Sequence, residues 1–321
     1  MASTTTGLSN LMSTFYDKVF LERAKAELRH DFGATLKRAS QNQGKSIIFN
    51  RLTPLALVTS ALTEGTNPSG VDMTSTQVTA TLAEYGAYTS VGSLFKMTSI
   101  DEDLKEHVDV HGQNAGESID NLIRIELSAN GTRQLVATTS AVSSTSGIHT
   151  SDVITGLEIR KAVRTLKINK APRFAGGMYR GVIGPQVAMD LFGASEWLDA
   201  HRYTTSEAIE RGVVGKLHGV EFVETNQPTV NYSGGFSTST TDVANVYETY
   251  IFGRGAYAMV SLDSFSAPKI YVKNPGSGDT SNPLDLFSTV GWKMPFACKT
   301  LNASWIVKVM TGATNGNSAT I

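Results

Sequence analysis

The apolar positions change their period several times along the chain, and each change marks an element. Between residues 13 and 31, Phe15, Val19, Ala24 and Leu28 recur near helical spacing with charges between them, and Phe32-Gly33 closes the pattern. This predicts an amphipathic helix with a narrow apolar stripe, suited to docking on another surface more than to filling a core. From Lys45 the pattern becomes that of strands. KSIIFNRL reads as one strand and Pro54 interrupts it. A polar excursion follows, with turns at Glu64-Gly65 and Asn67-Pro68. STQVTATLAEYGAYTSV then returns with Val78, Ala80 and Leu82 on one face. Two extended arms around a long excursion predict a β-hairpin projecting from a body. Such a hairpin is poorly stabilised alone, so a neighbouring subunit is its natural support.

The clearest helical period runs from Ser99 to Asn130 through Ile100, Leu104, Val108, Ala115, Ile119 and Leu122. Ser99 and Glu102 form a capping box, Asp101, Glu102 and Asp103 suit the positive end of the helix dipole, and Asn130-Gly131 supplies the stop. About 30 residues at ~1.5 Å each make a rod of roughly 45 Å. Gly112 and Gly116 predict a bend or a close approach. After a Ser/Thr-rich linker, a second helix runs from about Ser151 to Ile168 and stops before Ala171-Pro172. An α/β-like section follows. YRGVIGP is a strand, Pro185 opens a short helix, SEWLDAHRY is another, and GKLHGVEFVETNQP is a glycine-punctuated strand pair. Strands lie in ETYIFGRGAYAMVSL and PKIYVKN, and two more in STVGWKMPFACKTLNASWIVKVMTG. The stretches NYSGGFSTSTTD and NPGSGDTSNPLD read as surface loops.

Composition narrows the function classes. The 321 residues suffice for one large domain or two modest ones. The formal net charge of -1 lacks the basic excess of a dedicated nucleic-acid binder, so any such contact is local and non-specific. Cys298 is the only cysteine, which excludes an intrachain disulfide and a thiolate zinc site. MASTTTGLSN lacks a leader pattern, and no apolar run of about 18 residues predicts a membrane span.

Three motifs invite chemical readings, and each has a plainer one. Ala39-Ser-Gln-Asn-Gln-Gly44-Lys45-Ser46 resembles a relaxed phosphate loop, but that loop needs a helix after it, and SIIFNRL reads as strand. Gly253-Arg-Gly255-Ala-Tyr-Ala258 resembles a dinucleotide fingerprint, yet AYAMVSL also reads as strand, so a turn between strands fits better. His107 and His111 stand four apart on one helix. With Val108 where a zincin would have its Glu, and no third ligand, solvated histidines are the simpler reading. Cys298 lies in an apolar strand-like run, the setting of inert packing. No catalytic, cofactor-binding or metal-binding residue is therefore assigned.

Four local segments carry a family resemblance. They are LTEGTNPSG at 62–70, GVVGKLHGVEFVET at 212–225, IFGRGAYAMVSL at 251–262, and NPLDLFSTVGWKMPFACKTLNASWIVKV at 282–309. With the order of elements, they resemble the major capsid proteins of tailed bacteriophages with the Hong Kong 97-type fold, and more narrowly the family typified by phage N-four. Gly184 before Pro185 departs from that family, which often has His there. The resemblance implies an α+β fold in five segments: an N-terminal arm with its helix (1–44), an extended β-hairpin loop (45–92), a peripheral domain with a long spine helix (93–172), a mainly axial α/β domain (173–285), and return strands with a flexible C-terminus (286–321). It implies a self-assembling coat subunit of an icosahedral virion, building hexamers and pentamers in the host bacterial cytoplasm around double-stranded DNA held non-specifically on the inner face. Scaffolding, portal and decoration proteins are the implied partners, with no cofactor and no membrane. Position on the arms makes Lys45, Arg51, Glu64, Phe15 and Val19 the candidate intersubunit contacts. An encapsulin-type compartment with enzyme cargo is the alternative, and a nucleotide-binding enzyme using Lys45 stands third.

Overall fold

The computed structural model describes residues 9–40, 44–62, 64–65, 67, 69–94, 103–136, 145–194, 196–197, 215–231, 245–263, 265–273 and 286–314. Helix α1 spans Ser9–Glu27, starting before and ending before the stretch that periodicity predicts. A 3-10 turn, His30–Gly33, leads into strand β1, Thr35–Ala39. Strands β2 (Ser46–Leu52) and β3 (Ser75–Thr81) pair antiparallel in the register Leu52 to Ser75, forming the expected hairpin. The next strand, β4 (Ala83–Gly92), does not belong to that projection. It runs along β13 (Phe287–Thr300) for its whole length, so the free hairpin ends near Leu82 rather than at residue 92.

Two sheets share the body. In the first, β13 is the central strand. One edge holds β4; the other holds β12 (Lys269–Lys273) and then β11 (Tyr257–Leu262), with β1 parallel beyond β11. Pro295 falls at the handover, after the β12 pairing ends at Lys293 and before the β11 pairing begins at Phe296. A residue that cannot donate to a ladder is tolerated where one side lacks a partner. The second sheet centres on β10 (Val246–Phe252). Antiparallel β14 (Ile306–Thr311) and then parallel β5 (Thr132–Leu135) lie to one side. To the other lie β6 (Tyr179–Ile183), β8 (Val220–Glu224) and β7 (Lys216–Leu217), and β9 (Thr229–Asn231) also pairs with β10. Every residue of β10 is buried, as expected of a strand covered on both faces.

The spine helix, α2, spans Asp103–Asn130; its expected capping box at Ser99 and Glu102 lies outside the described residues. Its stripe of Val108, Ala115, Ile119, Ile123 and Leu127 packs with Phe252, Tyr257, Trp292 and Phe296 between the sheets. Helices α3 (Gly156–Ile168) and α4 (Pro185–Gly193) cover the opposite face of the second sheet, where Ile159, Leu166, Val187 and Leu191 meet Tyr247 and Ile251. Helix α3 begins five residues after its predicted start at Ser151. The Gly253-to-Ala256 turn carries the chain from one sheet to the other, since β10 and β11 lie in different sheets.

The two sheets interlace segments that lie far apart in the chain. Helix α3, assigned by position to the peripheral segment, packs on the α/β sheet. β11 and β12, assigned to the axial segment, belong to the sheet of β4 and β13. β14 returns beside β10. Burial of apolar faces decides this, and it joins strands distant in sequence.

Helix α1 crosses the spine at the two glycines. A Cβ on Gly112 would stand 2.9 Å from the Phe20 carbonyl oxygen, and one on Gly116 would stand 2.5 Å from that of Ala24. The glycines therefore serve close packing. Gly116→Ala is expected to force the helices apart and destabilise the subunit by about 1–3 kcal/mol, the usual cost of overpacking. A denaturant midpoint equal to that of the unaltered chain would show that the crossing can relax.

Candidate assembly surfaces

The base of the hairpin belongs to the body. Ile47, Phe49, Ala80 and Leu82 pack against Ala39, Val260 and Ala297, and the Lys37 ammonium lies 4.8 Å above the Phe49 ring. Beyond Leu52 this support stops. Between the hydrogen bond from Thr53 N to Thr74 O and the tip, the described residues form no strand or helix. Yet this excursion, polar in most of its residues, carries a row of large apolar side chains: Leu55, Leu57, Val58, Leu62, Val71 and Met73 are all exposed, Leu57 by 86% and Val58 by 84%. A run of large exposed apolar side chains on a protrusion is the signature of an interaction surface, because a solitary soluble subunit gains nothing by holding it in water.

Lys45, Arg51 and Glu64 are exposed along this projection, at its root, near the end of β2 and in the tip turn. No ion pair with another described residue holds them. Their side chains face solvent in the isolated subunit. Phe15 lies within α1, and its side chain lies outside the described residues. Val19 is half-buried against the chain's own core.

The helix as a whole corrects one expectation. Its inner stripe does not wait for a neighbour, because Phe20 and Ala24 are buried in this subunit. The following turn is tied down more firmly still. The Asp120 carboxylate, 1% exposed on the spine, accepts the backbone N–H groups of Arg29 and His30 at 2.8 and 2.7 Å. Its second oxygen lies 2.7 Å from His30 Nδ1. An ionised carboxylate only accepts, so Nδ1 carries the proton. Tyr257 donates to the His30 carbonyl, Arg180 to that of Phe32, and the Arg180 guanidinium stacks between the rings of Phe32 and Phe174 at 4.1 and 4.5 Å. Spine, first sheet and second sheet thus meet at one four-residue turn. Burial pushes the Tyr257 phenol well above its ordinary range, the mark of a dry site.

The motifs with chemical readings resolve plainly. Lys45 follows β1 and precedes β2, so no helix N-terminus stands ready for phosphates; the intervening residues 41–43 lie outside the described set. His111 is buried with its Nε2 2.9 Å from Thr89 Oγ1, and burial first, then the charge of His107, holds it below its usual range. Among the described residues, no three His, Cys, Asp or Glu gather as a metal site. Burial pushes the Cys298 thiol up to about 12, which leaves it un-ionised and unreactive at neutral pH. No described helix is long and apolar enough to cross a membrane.

No family model matches the chain, and no curated protein matches its sequence. Solved structures do match its shape. The capsid of Ralstonia phage GP4 aligns with TM-score 0.65 at 14% identity, covering 89% of this chain and 88% of that one. The capsid of cyanophage P-SCSP1u aligns with TM-score 0.64 at 16% identity over the same shares. A virus-like particle from Pyrococcus furiosus aligns with TM-score 0.52 at 10% identity, covering 93% of this chain and 99% of that one. The projecting hairpin, the packed spine helix and the two interlaced sheets therefore define a phage-capsid class of fold. More narrowly, the chain has the Hong Kong 97-type fold, an α+β architecture, along nearly its whole length.

Proposed function

We propose that this chain is the major capsid protein of a tailed bacteriophage, the repeating subunit of an icosahedral head around double-stranded DNA. One observation carries the reading: the hairpin tip from Thr53 to Met73 exposes a row of leucines, valines and a methionine that the subunit itself cannot cover. In a shell a neighbouring copy covers them. Identical chains arranged in rings of six and rings of five need contacts that tolerate small changes of angle, and an arm anchored only at its base provides that tolerance. Interfaces of roughly 800 Å² per partner suffice, because each subunit makes several at once. The function is structural, and no reaction is assigned to any residue. Assembly in the host cytoplasm, with scaffolding, portal and decoration proteins as partners, completes the reading.

A second reading, an encapsulin-type compartment, draws support from the likeness to the Pyrococcus particle. Expression of the chain, alone and with a cognate scaffolding protein, followed by light scattering and negative-stain microscopy, tests both. The capsid reading predicts closed particles, or free rings of five and six, without protein cargo. Particles filled with one enzyme from the source cell favour the compartment. A compact monomer in every condition contradicts both.

A further inference from the structure

The chain is nearly neutral, but its cations are not evenly spread. Between Glu158 and Asp190 there is no carboxylate, and Arg160, Lys161, Arg164, Lys167, Lys170 and Arg173 fall within that stretch. All six are exposed, on α3 and the turn that follows it. Lys161 lies 2.6 Å from Glu158, and Arg160 lies 3.1 Å from Glu196. Arg164, Lys167 and Lys170 have no carboxylate partner among the described residues. Arg160, Arg164 and Lys167 stand at positions i, i+4 and i+7, so they share one helix face, and with His218 they border an open groove of about 270 Å³. Lys170 adds a separate signal. It ends the helix with φ at +52°, a left-handed conformation in which glycine is the usual residue. A lysine held there, against an intrinsic penalty of roughly 1–2 kcal/mol, places a further exposed cation just past the end of that face.

We propose that this row is a contact for the phosphate backbone of double-stranded nucleic acid, made without reading its sequence. The inference rests on the shell reading, which supplies a duplex to be held, and it assigns that contact to one helix face. The form of the row favours a duplex over an acidic protein loop. From Arg160 to Lys167 it runs about 10 Å along the helix, at ~1.5 Å per residue. A duplex presents one charge per ~1.7 Å of axis, so such a row meets several phosphates at once. A compact acidic loop would call for a clustered patch.

The test is binding of a fluorescent 30-base-pair duplex to the full-length chain across a salt series, with a polyglutamate of similar charge as a second probe. Light scattering of the same samples reports shell formation independently. The unaltered chain should bind duplexes of unrelated sequence equally, and the triple variant Arg164→Gln, Lys167→Gln, Lys170→Gln should bind at least about tenfold more weakly at physiological salt. The slope of log affinity against log salt should fall by about 0.9 per cation removed. Lys167→Gln alone should lower it by about one such step, which guards against misfolding of the triple variant. An unchanged slope, absent duplex binding, or preferential binding of polyglutamate overturns the proposal, whether or not shells form. Failure to form shells in every condition, with or without the scaffolding protein, with the salt slopes as expected, overturns the shell reading and leaves the contact standing.

Discussion

Asp120→Ala is expected to cost the subunit about 3–5 kcal/mol, because each buried donor left without an acceptor costs about 1–3 kcal/mol. Three donors lose their acceptor at once: the amides of Arg29 and His30, and His30 Nδ1. His30 is fully buried and its Nε2 has no partner, so the imidazole would be left with neither nitrogen satisfied. His30 and the Asp120 carboxylate are buried, so water is a poor substitute for the lost acceptor. The melting temperature should fall by roughly 10 °C, given the few degrees per kcal/mol typical of proteins this large. Asp120→Asn, which keeps an acceptor oxygen and loses the charge, should lie between the two. Calorimetry of the three chains checks this. An alanine variant within 1 °C of the unaltered chain would mean that the turn is held mainly by Tyr257 and Arg180.

Excision of the hairpin tip should separate folding from assembly. Leu52 and Ser75 are register partners, so an Asn-Gly turn between them closes the ladder after removal of residues 53–74. Apart from the bond between Thr53 and Thr74, the described backbone of that segment makes no ladder. Subunit stability should therefore change by no more than about 1 kcal/mol, as for surface changes away from a core. Closed particles should disappear, because the apolar row that a neighbour would cover is gone. Particles of normal size and yield from the excised chain would remove the hairpin from the assembly mechanism. Truncation of the N-terminal arm cannot serve the same purpose. It would take Phe20, Ala24 and His30 out of the subunit's own core.

The parts of this fold legible in the sequence are those written in local periods. The alternation of Val78, Ala80 and Leu82 marks the returning arm of the hairpin, and the recurrence from Val108 to Leu122 marks the spine. What escapes local reading is pairing at a distance. Strand β1 runs parallel to β11 over Thr35–Ala39, more than two hundred residues away, and shows only Ala39 buried, so its alternation is faint. The interlacing of the sheets escapes for the same reason. The tie at His30 carries a signal that periodicity could reveal: Asp120 sits beside Ile119 and Ile123 on the apolar side of the spine. A carboxylate there must find partners or stay un-ionised. Sequence indicates that a partner is needed; the fold identifies His30, ninety residues earlier.

The most direct test of the account is a cryo-microscopy reconstruction of purified particles at side-chain resolution. Leu55, Leu57, Val58 and Leu62 of each copy are expected to lie buried against a neighbouring copy, in rings of six and rings of five alike. A closed particle in which those side chains remain in solvent, or a preparation that never closes, would contradict it.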